Sequence, residues 1–102
     1  MFKVAALYKF SEIDNPLEVQ ISLKKILKKL SIYGTILVGS EGINGTIAAK
    51  NEKNLNKALM HLKNLKGFKD LDIKFSDSKK NPFIRLKIKF KQEIVTIGDK
   101  SI

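Results

Sequence analysis

The chain contains no cysteine and a single histidine, His61, among its 102 residues. Without thiols there are no disulfides, thiolate nucleophiles, persulfide intermediates or thiolate metal sites. One histidine excludes a histidine-built metal cluster, so no metal and no resident cofactor are expected. Long apolar runs are also missing. None approaches the ~20 residues that a membrane-spanning helix needs, and Met1-Phe2-Lys3-Val4 leads into a strand pattern rather than a signal peptide. The expectation is a cytoplasmic location with no membrane partner. Acidic residues are scarce. Ten Asp and Glu stand against 20 Lys and Arg, a formal net charge of +10. A small domain with that balance points to a polyanionic partner, nucleic acid before membrane. Lysine surpluses also arise as solvated background, so the placement of the charges has to decide.

What is present suits one compact domain. Hydrophobic residues make up 43% of the sequence, enough for an ordinary core without staples and too many for a disordered chain. Lys3–Phe10 reads as a first strand, with the run Val4-Ala5-Ala6-Leu7-Tyr8 expected at the centre of a sheet. Tyr8 and Phe10 are read as core residues ahead of the alternative, a platform on which bases stack. Asn15-Pro16 opens a helix, with Asn as the cap and Pro in the first turn. Val19, Leu23, Ile26, Leu27 and Leu30 form its buried stripe. Gly34 follows the helix end. Ile21 lies opposite that stripe, where a neighbouring domain could touch it.

Thr35–Val38 and Ile43–Ala49 read as a hairpin joined by Gly39-Ser40-Glu41-Gly42, although Asn44-Gly45 is also a turn signal or a possible bulge. A second helix is expected from about Asn51 to Leu65, buried through Leu55, Ala58, Leu59, Leu62 and Leu65, with Gly67 as its terminal glycine. His61 sits at the margin of that stripe and is given no role. Leu71–Phe75 reads as a fourth strand, Ser76–Pro82 as a loop, Ile84–Lys91 as a fifth strand, and Glu93–Ile97 as a further extended segment. The order β-α-β-β-α-β with an added strand predicts an α+β, ferredoxin-like (acylphosphatase-like) domain with both helices on one sheet face.

Lys79, Lys80, Arg85, Lys87, Lys89 and Lys91 crowd into thirteen residues without an acid. On the expected fifth strand Ile84, Leu86, Ile88 and Phe90 alternate with Arg85, Lys87, Lys89 and Lys91. Cations two apart on a strand lie roughly 6.5–7 Å from each other, a pitch that suits a phosphate backbone. The same row would also protect an edge strand against aggregation. Gly39–Thr46 is glycine-rich but is not a phosphate-binding loop: no Lys precedes Thr46, and the segment enters a strand rather than a helix. Acylphosphatase activity is not expected, because Ser11-Glu12-Ile13-Asp14 after the first strand offers two acids and no arginine. An RNA-recognition motif fails because the third strand lacks stacking aromatics.

Taken in order, Leu7-Tyr8-Lys9-Phe10, Gly34–Val38, Glu41-Gly42-Ile43-Asn44-Gly45-Thr46-Ile47-Ala48, Pro82-Phe83-Ile84-Arg85-Leu86-Lys87-Ile88-Lys89 and Lys91–Gly98 resemble the N-terminal region of the rhodanese-related tRNA uridine hydroxylases. The resemblance spans nearly the whole chain. It implies a parent enzyme that hydroxylates the wobble uridine of certain tRNA anticodons with oxygen. It also implies that the catalytic cysteine lies in a rhodanese-like domain beyond Ile102. Residues 1–98 are then expected to form the domain, and 99–102 to begin a linker.

The chain by itself is expected to be non-catalytic, with tRNA and the rhodanese-like domain as partners. Lys79, Lys80, Arg85, Lys87, Lys89 and Lys91 are the candidate RNA contacts. Glu41, Gly42, Asn44, Gly45 and Thr46 are read as a turn that packs against the catalytic domain or the anticodon loop. The alternative is a structural module that orients or dimerises the catalytic domain without touching RNA.

Overall fold

A computed structural model of the chain describes residues 1–91. The expected segment Glu93–Ile97, the domain boundary at 98 and the linker at 99–102 lie outside the described residues. Seven elements follow one another: β1 (Phe2–Phe10), α1 (Pro16–Lys29), β2 (Tyr33–Gly39), β3 (Gly42–Ala49), α2 (Glu52–Lys63), β4 (Asp72–Ser78) and β5 (Leu86–Lys91). The sheet order is β4-β1-β3-β2-β5. β1 runs antiparallel to both β3 and β4, β2 is antiparallel to β3, and β5 adds parallel to β2. This is the ferredoxin-like arrangement with a fifth strand at one edge.

Side-chain alternation separates the two faces. Ala5, Leu7, Ile36, Val38, Ile43, Ile47 and Ile88 point to the helix side and form one core with Leu23 and Leu27 of α1 and Leu55, Ala58, Leu59 and Leu62 of α2. Val19, Ile26 and Leu30 pack partly buried around it, so the expected α1 stripe is correct. Phe68 is the largest fully buried side chain. It enters the core from the loop after α2, held by hydrogen bonds from the Phe68 amide to Leu65 O and from the Leu71 amide to Phe68 O.

Both helices begin where their asparagines place them. The Asn15 side chain accepts from the Glu18 amide at 3.2 Å, with Pro16 opening α1, and Asn51 accepts from the Lys53 and Asn54 amides. α1 closes at Ser31, three residues before the Gly34 that follows it. Ser31, not a glycine, takes the left-handed conformation (φ 57°). The Ser31 amide donates to Lys28 O and the Ile32 amide to Leu27 O, the paired bonds that close a helix C-terminus. Gly34 instead lies inside β2 beside Ile47. Its φ is +132°, and a Cβ there would meet the Thr46 carbonyl oxygen and Ile47 Cα.

α2 stops at Lys63, two residues short of the expected end, and β4 runs on to Ser78. Lys3 of β1 faces Asp77 there and pairs with it at 2.9 Å. Asp77 belongs to the segment expected from the sequence to be a loop, Ser76–Pro82. β5 starts two residues late: Ile84 and Arg85 precede the strand, and Ile84 is 94% exposed. The apolar alternation expected from Ile84 therefore holds only from Leu86 onward, because Ile84 has no β2 residue beside it in the register.

Candidate nucleic-acid interface

β5 places its cations by register. Leu86 and Ile88 lie beside Gly34 and Ile36 on the core side, so Lys87 and Lys89, beside Thr35 and Leu37, project to the helix-free face. The Gln20 amide of α1 donates to Ile88 O at 2.7 Å and ties the helix to the edge strand. Arg85 sits at the strand entrance, its carbonyl accepting from the Gly34 amide. The result is a groove of about 800 Å³ along the β5 edge, where Lys24 and Lys28 of α1 join Arg85, Lys87 and Lys89.

Lys24 and Lys28 were legible only as the polar side of a helix. The contact between α1 and an edge strand from the far end of the chain brings them to the groove. Among the described residues, the two ion pairs are Lys3 with Asp77 and Lys9 with Asp70. The Lys9 hydrogen bond is the main reason that Asp70 titrates below its ordinary 3.8, and the Asp77 hydrogen bond likewise raises Lys3 above 10.5. The five groove cations take part in neither pair. Like charges gathered in one groove attract a polyanion.

The other expected contacts are divided. Lys79 and Lys80 follow β4 at the opposite edge of the sheet, where Lys80 O accepts from the Ser78 hydroxyl. The structure does not bring them to the groove. Lys91 ends β5 opposite Gly39, and its side chain lies outside the described residues. Glu41 occupies the two-residue turn between β2 and β3, but Gly42–Thr46 is the first half of β3, in the middle of the sheet. The segment read as a turn is therefore mostly a central strand. Gly45 is neither turn nor bulge: it pairs in register with Leu7 and Ile36. Its missing Cβ lets the strands approach, since an added one would fall on the Thr35 carbonyl oxygen with Ile36 Cα at 2.7 Å.

Asn44 and Thr46 share the helix-free face with Thr35, Leu37, Lys87 and Lys89. Tyr8 and Phe10 are there too. The core reading of these aromatics is wrong, since Tyr8 is 44% and Phe10 67% exposed. Ala5 and Leu7 supply the inward side of β1, and strand alternation turns Tyr8 and Phe10 outward. That alternation was masked in the sequence by a continuous apolar run, since Val4, Ala6 and Tyr8 are apolar on the outer side as well.

The β1–α1 loop has little to offer an anion. The amides of Ser11 and Ile13 donate to Glu41 O and Ser40 O at 3.0 and 2.9 Å, and Glu12 and Asp14 add negative charge. Among the described residues, no group of three or more His, Asp or Glu is arranged to hold a metal ion, and no helix is long and apolar enough to cross a membrane.

Comparison with known proteins places this geometry. The family model described as the UPF0176 acylphosphatase-like domain matches residues 2–94. A curated tRNA uridine(34) hydroxylase of Caulobacter vibrioides is 39% identical over 98 residues, covering 96% of this chain and 31% of that protein. One from Acinetobacter baumannii is 42% identical over 97 residues, covering 93% and 30%. The chain thus spans about a third of the length of these relatives. Among solved structures, an acylphosphatase from Bacillus subtilis superposes with a TM-score of 0.64 at 16% identity, over 86% of this chain and 98% of that one. An acylphosphatase from Coxiella burnetii gives 0.56 at 8% identity, over 86% and 90%. At those identities the likeness is one of fold alone.

Proposed function

Because the chain belongs to the UPF0176 acylphosphatase-like domain family, we propose that it is the tRNA-binding N-terminal domain of an enzyme that hydroxylates the wobble uridine. The relatives named tRNA uridine(34) hydroxylase support this reading. The observation that carries it is the groove lined by Lys24, Lys28, Arg85, Lys87 and Lys89, which take part in neither ion pair among the described residues. Cations that neutralise phosphates release counterions, and that release drives binding without reading sequence. The domain's task is to hold the tRNA while a rhodanese-like domain supplies the oxygen-dependent chemistry through its cysteine. This chain, without a cysteine, contributes position rather than bond making. Lys79 and Lys80, at the far edge, would meet a second stretch of the same backbone.

The test is binding of unmodified tRNA across a salt series, with wild type beside the triple variant Arg85→Ala, Lys87→Ala, Lys89→Ala. Affinity should fall steeply with salt, and the variant should lose about 0.7 of log–log slope for each single-strand phosphate contact removed. Equal slopes in the two proteins would sink the proposal. A chain that binds no tRNA but binds the separated rhodanese-like domain would be an orienting module instead.

A further inference from the structure

The helix-free face holds more than the groove needs. We propose that this face is a platform for single-stranded RNA, on which bases stack against Tyr8 and Phe10 while the β5 cations grip adjoining phosphates. The inference rests on the tRNA-binding reading above and adds which part of the RNA is held and by what chemistry. The two rings meet edge to face, 5.0 Å between centroids with planes at 68°, and both remain open to solvent. Paired exposed aromatics on a sheet are costly in water, whereas every base offers a π-face to stack on them.

The ground between the rings and the cations mixes one apolar side chain, Leu37, with polar ones. Asn44, Thr46 and Thr35 lie on β3 and β2 between β1 and β5. Among the described residues none of their side chains takes part in a hydrogen bond. An amide and two hydroxyls in that position can pair with base edges. β1 and β5 are three strand spacings apart, about 14 Å, room for a few nucleotides laid across the sheet. At the β5 end a hollow of about 400 Å³ gathers Phe83 and Arg85 beside Thr35 and Lys87, a third aromatic and a guanidinium at the row of cations.

Charge favours RNA over a protein occupant. Lys74, Lys87 and Lys89 point to this face, and Asp72 is the one acid among the described strand residues that does. Single-stranded RNA fits better than duplex, because duplex recognition runs through phosphates and 2′-hydroxyls and leaves base faces covered. Tyr8 and Phe10, with Asn44 and Thr46, are the members of two family-resemblance segments that strand alternation turns to this one surface.

The deciding experiment titrates this chain with a single-stranded RNA decamer and with the same sequence as duplex, at several salt concentrations. Wild type is compared with Tyr8→Ala/Phe10→Ala, Tyr8→Phe, and the Arg85/Lys87/Lys89→Ala variant. The expected result is about tenfold or greater loss of single-strand affinity in the double alanine variant, with its salt slope and duplex binding unchanged. Tyr8→Phe should bind like wild type, and the cation variant should lose slope instead. Circular dichroism checks that the exposed substitutions leave the fold intact. Wild-type affinity in the double alanine variant overturns the platform, while a reduced slope in the cation variant would still leave the phosphate-binding proposal standing. Loss of wild-type self-association in the double alanine variant, with RNA affinity unchanged, would overturn it in favour of a protein interface. No RNA binding by wild type would remove both proposals together.

Discussion

Phe68 and Tyr8 show how far a single residue's role depends on its neighbours. Phe68 stands between Gly67 and Lys69, in a stretch with no helical or strand period, yet its side chain is fully buried. Two short-range backbone bonds in the loop turn it into the core between α2 and β4. Phe68→Ala is expected to cost about 3–5 kcal/mol of stability, read from the midpoint of a urea unfolding curve at unchanged slope. A loss below about 1 kcal/mol would mean that the loop ring contributes little to packing. Tyr8 is the reverse case, an aromatic in an apolar run that the pleat turns out to water. Nothing local marks either one: Tyr8 sits in a continuous apolar run and Phe68 in a stretch without a period.

At the scale of elements, caps and stripes were readable because they are local physics. Asn15-Pro16 and the Leu23/Leu27 spacing predicted α1 correctly, since a cap needs only its own first turn and a stripe only the helical period. Glycine is the usual left-handed residue at a helix end, and Gly34 follows α1 in the sequence. Ser31 occupies that position instead, at φ 57°. A non-glycine residue there carries a steric cost of roughly 1–2 kcal/mol. Ser31→Gly is therefore expected to stabilise the chain by about 0.5–1 kcal/mol, measured as a raised denaturant midpoint. A lowered midpoint would mean that the serine hydroxyl or the stiffer unfolded chain matters more than the strain. β5 was legible as a cationic strand, but its true start was not, because the register against β2 decides where pairing begins.

For the whole molecule, likeness of fold and likeness of chemistry separate. The sheet superposes on acylphosphatases, an activity that requires an open anion cradle after the first strand. Here the Ser11 and Ile13 amides are spent on the β2–β3 turn, and Glu12 and Asp14 repel phosphate. Hydrolysis of a simple acyl phosphate by this chain is expected to match the buffer rate. Turnover above that rate, lost on removing a side chain of that loop, would contradict the assignment of binding without catalysis. Positive charge instead collects at the β5 edge, where Lys24, Lys28, Arg85, Lys87 and Lys89 line one groove.

The sequence alone determined the class of the fold, α+β, together with a formal charge of +10 and the lack of cysteine. These conclusions depend on composition, local caps and short periods, which survive without knowledge of any long-range contact. Only the tertiary structure decided which cations act together and which aromatics face water. Pairing β5 beside β2 lines one edge groove with Lys24 and Lys28 of α1 and with β5, across some sixty residues of chain. It leaves Lys79 and Lys80 at the other edge. Strand register also turns Asn44 and Thr46 out beside Tyr8 and Phe10. Register is a long-range property: shifting it by one residue would exchange the two faces, and no short window of the sequence records which of the two was chosen.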